Sequence, residues 1–175
     1  MIELLILFFI SKRELTMYGL QKSISDYFSS YTKPSFGALN PALKRLEHSK
    51  CLTSRKSLSE GGKQFCYYSI TKEGINELKK LLLEDFSENP VQFFSNARLK
   101  LSCAGVLSDE ELDNLYTKIK TKAYEHKFNA ENTLNNEYIS LDFHQRIVLD
   151  NTLCELQNFI SIVEELEKQN AGNSK

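Results

Sequence analysis

Between residues 33 and 63 seven cationic side chains, Lys33, Lys44, Arg45, Lys50, Arg55, Lys56 and Lys63, stand against only two carboxylates, Glu47 and Glu60. Cations at this density neutralise phosphates, and their chemistry points to a polyanionic partner. The bias is regional. The whole chain holds 22 Lys and Arg against 23 Asp and Glu, a net charge of −1. Residues 1–85 hold 13 against 9, a net of +4, and residues 86–175 hold 9 against 14, a net of −5. An anionic partner is therefore expected for the first half alone.

Lys44 and Arg45 fall within "SFGALNPALKRLE", residues 35–47. At about 100° per residue, Leu39, Ala42, Leu43 and Leu46 share one side of a helix. Gly37, Pro41, Lys44, Arg45 and His48 take the other side, flanked by Ala38 and Asn40. That outer side starts small and becomes basic, which suits a helix entering a major groove. Ser35 is a good cap, and the free N–H groups of the first turn favour a phosphate. Pro41 removes the amide bond back to Gly37. It is expected either to tighten the first turn and aim it at DNA, or to mark a helix start with no role in contact. Lys33, Arg55, Lys56 and Lys63 belong to the same expected basic surface, with Lys63 behind Gly61-Gly62 in reach of a phosphate or minor groove. Tyr18 is either a core aromatic or a phosphate-contacting hydroxyl. Arginine is scarce, so phosphate contacts should outnumber base readout.

Other chemistries find no footing. No nucleophile elbow, phosphate loop or HExxH motif occurs, and Glu110-Glu111 reads as helix N-terminal charge. Cys51, Cys66, Cys103 and Cys154 lie far apart without a CxxC, and His48, His126 and His144 lack ligand spacing. The expectation is no enzyme, no metal and no cofactor, with four reduced thiols; a redox switch is the alternative. The apolar start "MIELLILFFI" is too short to span a bilayer and lacks the basic start and cleavage site of a signal peptide. It reads as a buried helix of a cytoplasmic protein with no membrane partner.

The elements that must position these residues follow from period and punctuation. Helices are predicted over 1–12, from a Thr16 cap to about Tyr31, and from Ser35 to His48–Ser49. "CLTSRKSL" alternates, "SEGGK" turns and "QFCYYSI" is rich in aromatics, which together make a β-hairpin. Thr71 caps a fourth helix with Ile75, Leu78 and Leu82 inward. The first 86 residues thus read as a winged helix-turn-helix with a two-stranded wing. Residues 87–175 read as an all-α region with helices near 91–104, 109–138 and 142–168, a Ser108–Glu111 capping box and a frayed tail at 169–175. The fold class is mainly α. Leu149, Leu153, Leu156, Ile160 and Val163 are spaced 4-3-4-3, close to the seam of two packed helices.

"TMYGLQKSI", "SFGALNPALKRLE" and "YYSITKEG", in that order, resemble the PadR family of bacterial transcriptional regulators over about the first 80 residues. The resemblance implies a homodimeric winged-helix protein that binds double-stranded DNA, in most members a repressor. It also implies that the C-terminal helices and the first helix pack across the dimer, so that Leu5, Phe8, Phe9 and the 149–163 seam serve dimerisation. Some members bind small aromatic or hydrophobic effectors near that interface; Phe8, Phe9, Phe93 and Phe94 are either core or interface, or the lining of such a pocket. Three positions depart from the family pattern: Asn40 stands for a tyrosine, Ala38 for a threonine, and Met17-Tyr18-Gly19 for Gly-Tyr-Glu. The alternatives to a pseudo-palindrome-binding regulator are a winged-helix protein-interaction module and a ligand or redox sensor with weak DNA binding.

Overall fold

The computed structural model describes residues 1–58, 62 and 64–173. The chain divides into two compact units, Met1–Glu84 with Arg98–Val106, and Asp85–Ala97 with Leu107–Lys175.

The first unit is built around α1 (Ile2–Lys12), in which Leu4, Leu5, Ile6, Leu7, Phe9 and Ile10 are all buried. An all-round apolar pattern needs neighbours on every side. They are α2 (Met17–Phe28), α3 (Phe36–His48), α4 (Lys72–Leu83) and strand β3 (Gln64–Ile70). Hydroxyls cap the three later helices where the sequence places them. Thr16 Oγ1 accepts from the Gly19 amide at 3.1 Å, Ser35 Oγ from Ala38 at 3.3 Å and Thr71 Oγ1 from Gly74 at 3.0 Å. α2 ends at Phe28 rather than Tyr31, because the amides of Tyr31 and Thr32 both turn back to the Phe28 carbonyl.

α3 keeps Pro41 inside it. Its first turn is tightened as Pro41 leads one to expect: the Ser35 carbonyl accepts from both Ala38 (3.1 Å) and Leu39 (3.0 Å). Leu39, Ala42, Leu43 and Leu46 are buried, and each leucine contributes about 1.5–3 kcal/mol of gross burial energy. Lys50 then reverses the chain at φ 61, a left-handed conformation that L-residues resist. The Lys50 and Cys51 amides close the helix on Glu47 and Leu46, and Thr71 Oγ1 donates to the Lys50 carbonyl at 2.7 Å.

β2 (Leu52–Leu58) and β3 form the wing, paired antiparallel from Leu52↔Ile70 to Leu58↔Gln64. A third strand joins it. β1 (Leu15–Thr16) pairs with the other edge of β3, giving the order β1-β3-β2. Two residues between two helices carry no readable period, so the sequence shows only the hairpin.

The second unit contains the start of α5 (Pro90–Cys103), then α6 (Asp109–Asn135) and α7 (Phe143–Asn173). The capping box forms: the Ser108 amide donates to Glu111 Oε2 at 2.8 Å and Ser108 Oγ accepts from the Glu111 amide. α6 and α7 pack along their length, with Leu115, Ile119 and Ala123 buried from one and Leu156, Phe159, Ile160 and Val163 from the other. Residues 169–173, expected to fray, continue the helix. Asn170 ties them to α6, its amide donating to the Asp109 carbonyl and to Asp113 Oδ1 at 2.9 Å. Residues 174 and 175 lie outside the described residues.

His126 of α6 is buried in this unit. Among the described residues its Nε2 has no hydrogen-bond partner, and its ring lies 5.1 Å from that of Phe93. Burial, and then the Lys122 ammonium, lowers its pKa below the ordinary 6.5; Glu88 and Glu125 pull weakly the other way. The unfolded chain therefore binds this proton more readily than the folded one. Stability is full above about pH 6.5 and falls as pH drops from there toward the lowered folded value. Melting temperature followed by circular dichroism between pH 7.5 and 5 should decline, and His126→Leu should flatten that decline.

Candidate nucleic-acid interface

Tyr18, Lys33, Ser35, Gly37, Ala38, Asn40, Pro41, Lys44, Arg45, Arg55 and Lys56 are all exposed. The outer face of α3 runs as the wheel requires, small at Gly37 and Ala38 and cationic at Lys44. Lys33 and Lys44 have no ion-pair partner among the described residues. Tyr18 is 68% exposed, its ring stacked on Phe36 at 6.4 Å. That removes the core reading and leaves it on the surface beside the start of α3. Asn40 and Tyr18 line one groove of about 670 Å³ with Thr16, Phe65 and Tyr67. The groove thus joins the α2 start, α3 and the wing strand.

The two arginines are not free. Arg45 turns toward α1, where its Nε donates to Glu3 Oε1 at 2.8 Å and its Nη2 forms an ion pair with the same oxygen at 2.8 Å. Arg55 donates from Nη2 to Glu14 Oε2 at 2.6 Å and from Nε to both carboxylate oxygens at 3.1 and 3.3 Å. Its guanidinium also lies 4.8 Å over the Tyr67 ring. The sheet register explains this contact. Thr16, Tyr67 and Arg55 form one row across the three strands, so Glu14, two residues before Thr16, shares their face. The Arg55 guanidinium and then the Ser69 hydroxyl hold the Glu14 carboxyl down at about 2.

Lys56, next in β2, leaves the opposite face of the hairpin from Arg55. The described cations are therefore at the surface, but they do not form the single uninterrupted strip that their density in the sequence suggests. Lys63 lies outside the described residues. Glu3 and Glu14 are the residues sequence reasoning misses. Each lies more than 40 positions from its arginine, and the signal for Glu14 is the third strand.

The residues assigned to dimerisation separate into two sets. Leu5 and Phe9 are buried by the neighbours of α1 in their own unit, and Leu156, Ile160 and Val163 by α6. Their apolar surface is consumed within one chain. Phe8, Leu149 and Leu153 are half-buried. Phe93 and Phe94 are buried in an aromatic cluster with Phe159, while Phe8 and Phe9 line a groove of about 500 Å³ with Tyr27, Phe28 and Lys12. All four cysteines are free. Burial pushes the Cys103 thiol up to about 12, which makes it a poor nucleophile. Among the described residues no group of three acidic, histidine or cysteine side chains is placed to hold a metal, and no helix is long and apolar enough to cross a membrane.

Residues 6–80 match the model of the transcriptional regulator PadR-like family. No curated protein matches the chain. Among solved structures it is similar to Bacillus subtilis PadR in complex with operator DNA, at 22% identity over 96% of this chain and 98% of that one, with a TM-score of 0.47. A PadR family transcription regulator from hypervirulent Clostridium difficile R20291 is 28% identical over 45% of this chain and 80% of its own, with a TM-score of 0.41. The PadR-like transcriptional regulator BC1756 from Bacillus cereus is 15% identical over 99% of each chain, with a TM-score of 0.43.

Proposed function

We propose, from the match of residues 6–80 to the PadR-like family of transcriptional regulators, that this protein binds double-stranded DNA as a homodimeric repressor in the cytoplasm. The observation that carries the reading is the outer face of α3: capped by Ser35, small at Gly37 and Ala38, cationic and unpaired at Lys44, and standing beside a wing. Inserted in a major groove, that face brings the Lys44 ammonium to the phosphates while Asn40 and Tyr18 border the adjoining groove. Residues 1–86 serve as the DNA-binding part and 87–175 as the dimerisation part. A pseudo-palindromic operator then has half-sites about one helical turn, ~10 bp, apart or a multiple of it.

The dimer surface is the apolar skin of the second unit. Tyr138, Phe143, Ile147 and Val148 are 98%, 72%, 53% and 65% exposed, and exposed apolar side chains grouped at and just before the start of one helix suit an interface with a second chain. A small aromatic or hydrophobic effector would enter the groove at Phe8, Phe9, Tyr27 and Phe28. Footprinting on the DNA upstream of the protein's own gene tests the reading: two protected half-sites are expected, weakening steeply with salt. Sedimentation should give a dimer, and the double change Phe143→Asp, Ile147→Asp should return a folded monomer that protects no operator. Absence of binding to any promoter fragment, with a stable protein partner instead, would favour an interaction module.

A further inference from the structure

Resting on the DNA-binding reading above, we infer that Glu14 is a built-in phosphate stand-in that holds the wing arginine, Arg55, off nucleic acid until a well-fitted duplex displaces it. Three features of the geometry carry this. The carboxylate takes the Nε–Nη2 edge of the guanidinium through three donor contacts at 2.6 to 3.3 Å, the same fork that reads a phosphate. Ser69 Oγ donates to the same carboxylate from β3, so Glu14 is held in place whether or not Arg55 stays. The pair is exposed, Arg55 at 58% and Glu14 at 41% of their side chains, and exposed pairs are weak enough to exchange partners. Glu3 of α1 pairs in a simpler way with Arg45 of α3, its Oε1 accepting from Nε and lying 2.8 Å from Nη2.

The consequence is selectivity. Non-specific binding is almost wholly phosphate electrostatics. A cation already paired with a carboxylate offers a random duplex little, because breaking the pair returns no net charge gain. A duplex that docks α3 correctly brings a phosphate to Arg55 at a fixed position, and the exchange follows. Glu14 and Glu3 thus act through their arginines to lower affinity for the wrong DNA, which is selection by charge against unfitted partners.

The experiment is equilibrium anisotropy on a random-sequence duplex from low to high salt, using the full chain. Wild type, Glu14→Gln, Arg55→Ala and the double variant are compared. Freeing one cation for a phosphate should tighten Glu14→Gln by about eightfold at about 0.1 M salt and steepen the log–log salt slope by about 0.9. The tightening should vanish in the Arg55→Ala background, and Glu3→Gln should show its own through Arg45. Glutamine keeps the shape of an exposed side chain and can still accept from Ser69, so the fold is preserved. Weaker or unchanged binding by Glu14→Gln, while Arg55→Ala loses affinity, overturns the inference and makes Glu14 a residue that aims the arginine. If wild type itself shows no salt-dependent binding to any duplex, the DNA-binding reading fails first.

Discussion

Alanine at both Lys44 and Arg45 is expected to abolish operator protection and to weaken binding to any duplex between about eightfold and sixtyfold at about 0.1 M salt. The lower figure corresponds to one phosphate left without its cation, the upper figure to two. Lys44 neutralises the first without competition, since no carboxylate among the described residues pairs with it. Arg45 neutralises the second only if it leaves Glu3. Lys44→Ala should therefore cost nearly the full factor by itself, and Arg45→Ala less, because the wild-type guanidinium is already balanced. The fold should not change. Both side chains are exposed, the buried stripe of Leu39, Ala42, Leu43 and Leu46 is untouched, and alanine is a strong helix former. Anisotropy across salt measures the weakening, and an unaltered thermal melt checks the fold. Protection that survives the double change would place the docking face elsewhere than α3.

What can be read in the sequence is whatever is local. The caps at Thr16, Ser35, Thr71 and Ser108 sit where Ser or Thr precedes a periodic apolar run, and all four side chains accept the amide three residues on. The hairpin is legible because each of its strands is seven residues long. The apolar residues of α1 announce burial because they run almost without a polar break. What escapes is long-range. β1 is two residues, below any period. The partners of Arg45 and Arg55 lie 42 and 41 positions away, so charge density along the chain overstates the free cation on the surface. The 4-3-4-3 seam of α7 correctly announces a packed helix pair, but spacing carries no information on whether the mate is another chain or the same one. Here it is α6. The exposed Phe143, Ile147 and Val148 lie at the other end of the same helix, where the seam rule draws no attention to them.

Gly74→Ala should unfold the first unit more severely than any surface change. A Cβ at Gly74 would lie 2.1 Å from the Cys51 carbonyl oxygen, 2.7 Å from Ile70 Cγ1 and 3.0 Å from the Cys51 carbonyl carbon. The isoleucine methylene could move, but the carbonyl could not. It accepts from the Thr71 amide and from Thr71 Oγ1, both at 3.1 Å, and follows Lys50 in its left-handed turn. Relief requires α4 to slide off that turn, which breaks the bonds from the Thr71 amide and hydroxyl to the Lys50 and Cys51 carbonyls. Overpacking of about 1–3 kcal/mol then adds to about 1 kcal/mol for each of these two donors. A total of about 4 kcal/mol is a large share of a small unit's stability and lowers its melting temperature on the order of 15 °C or more. Gly105→Ala is the control: nothing lies within 4 Å of its Cβ, and its melt should be that of wild type. The effect should reach DNA as well, because Thr71, Cys51 and Lys50 fix the angle at which the chain leaves α3 for the wing. A Gly74→Ala protein that melts within a few degrees of wild type would mean the close approach of α4 to the Cys51 carbonyl does not exist in solution.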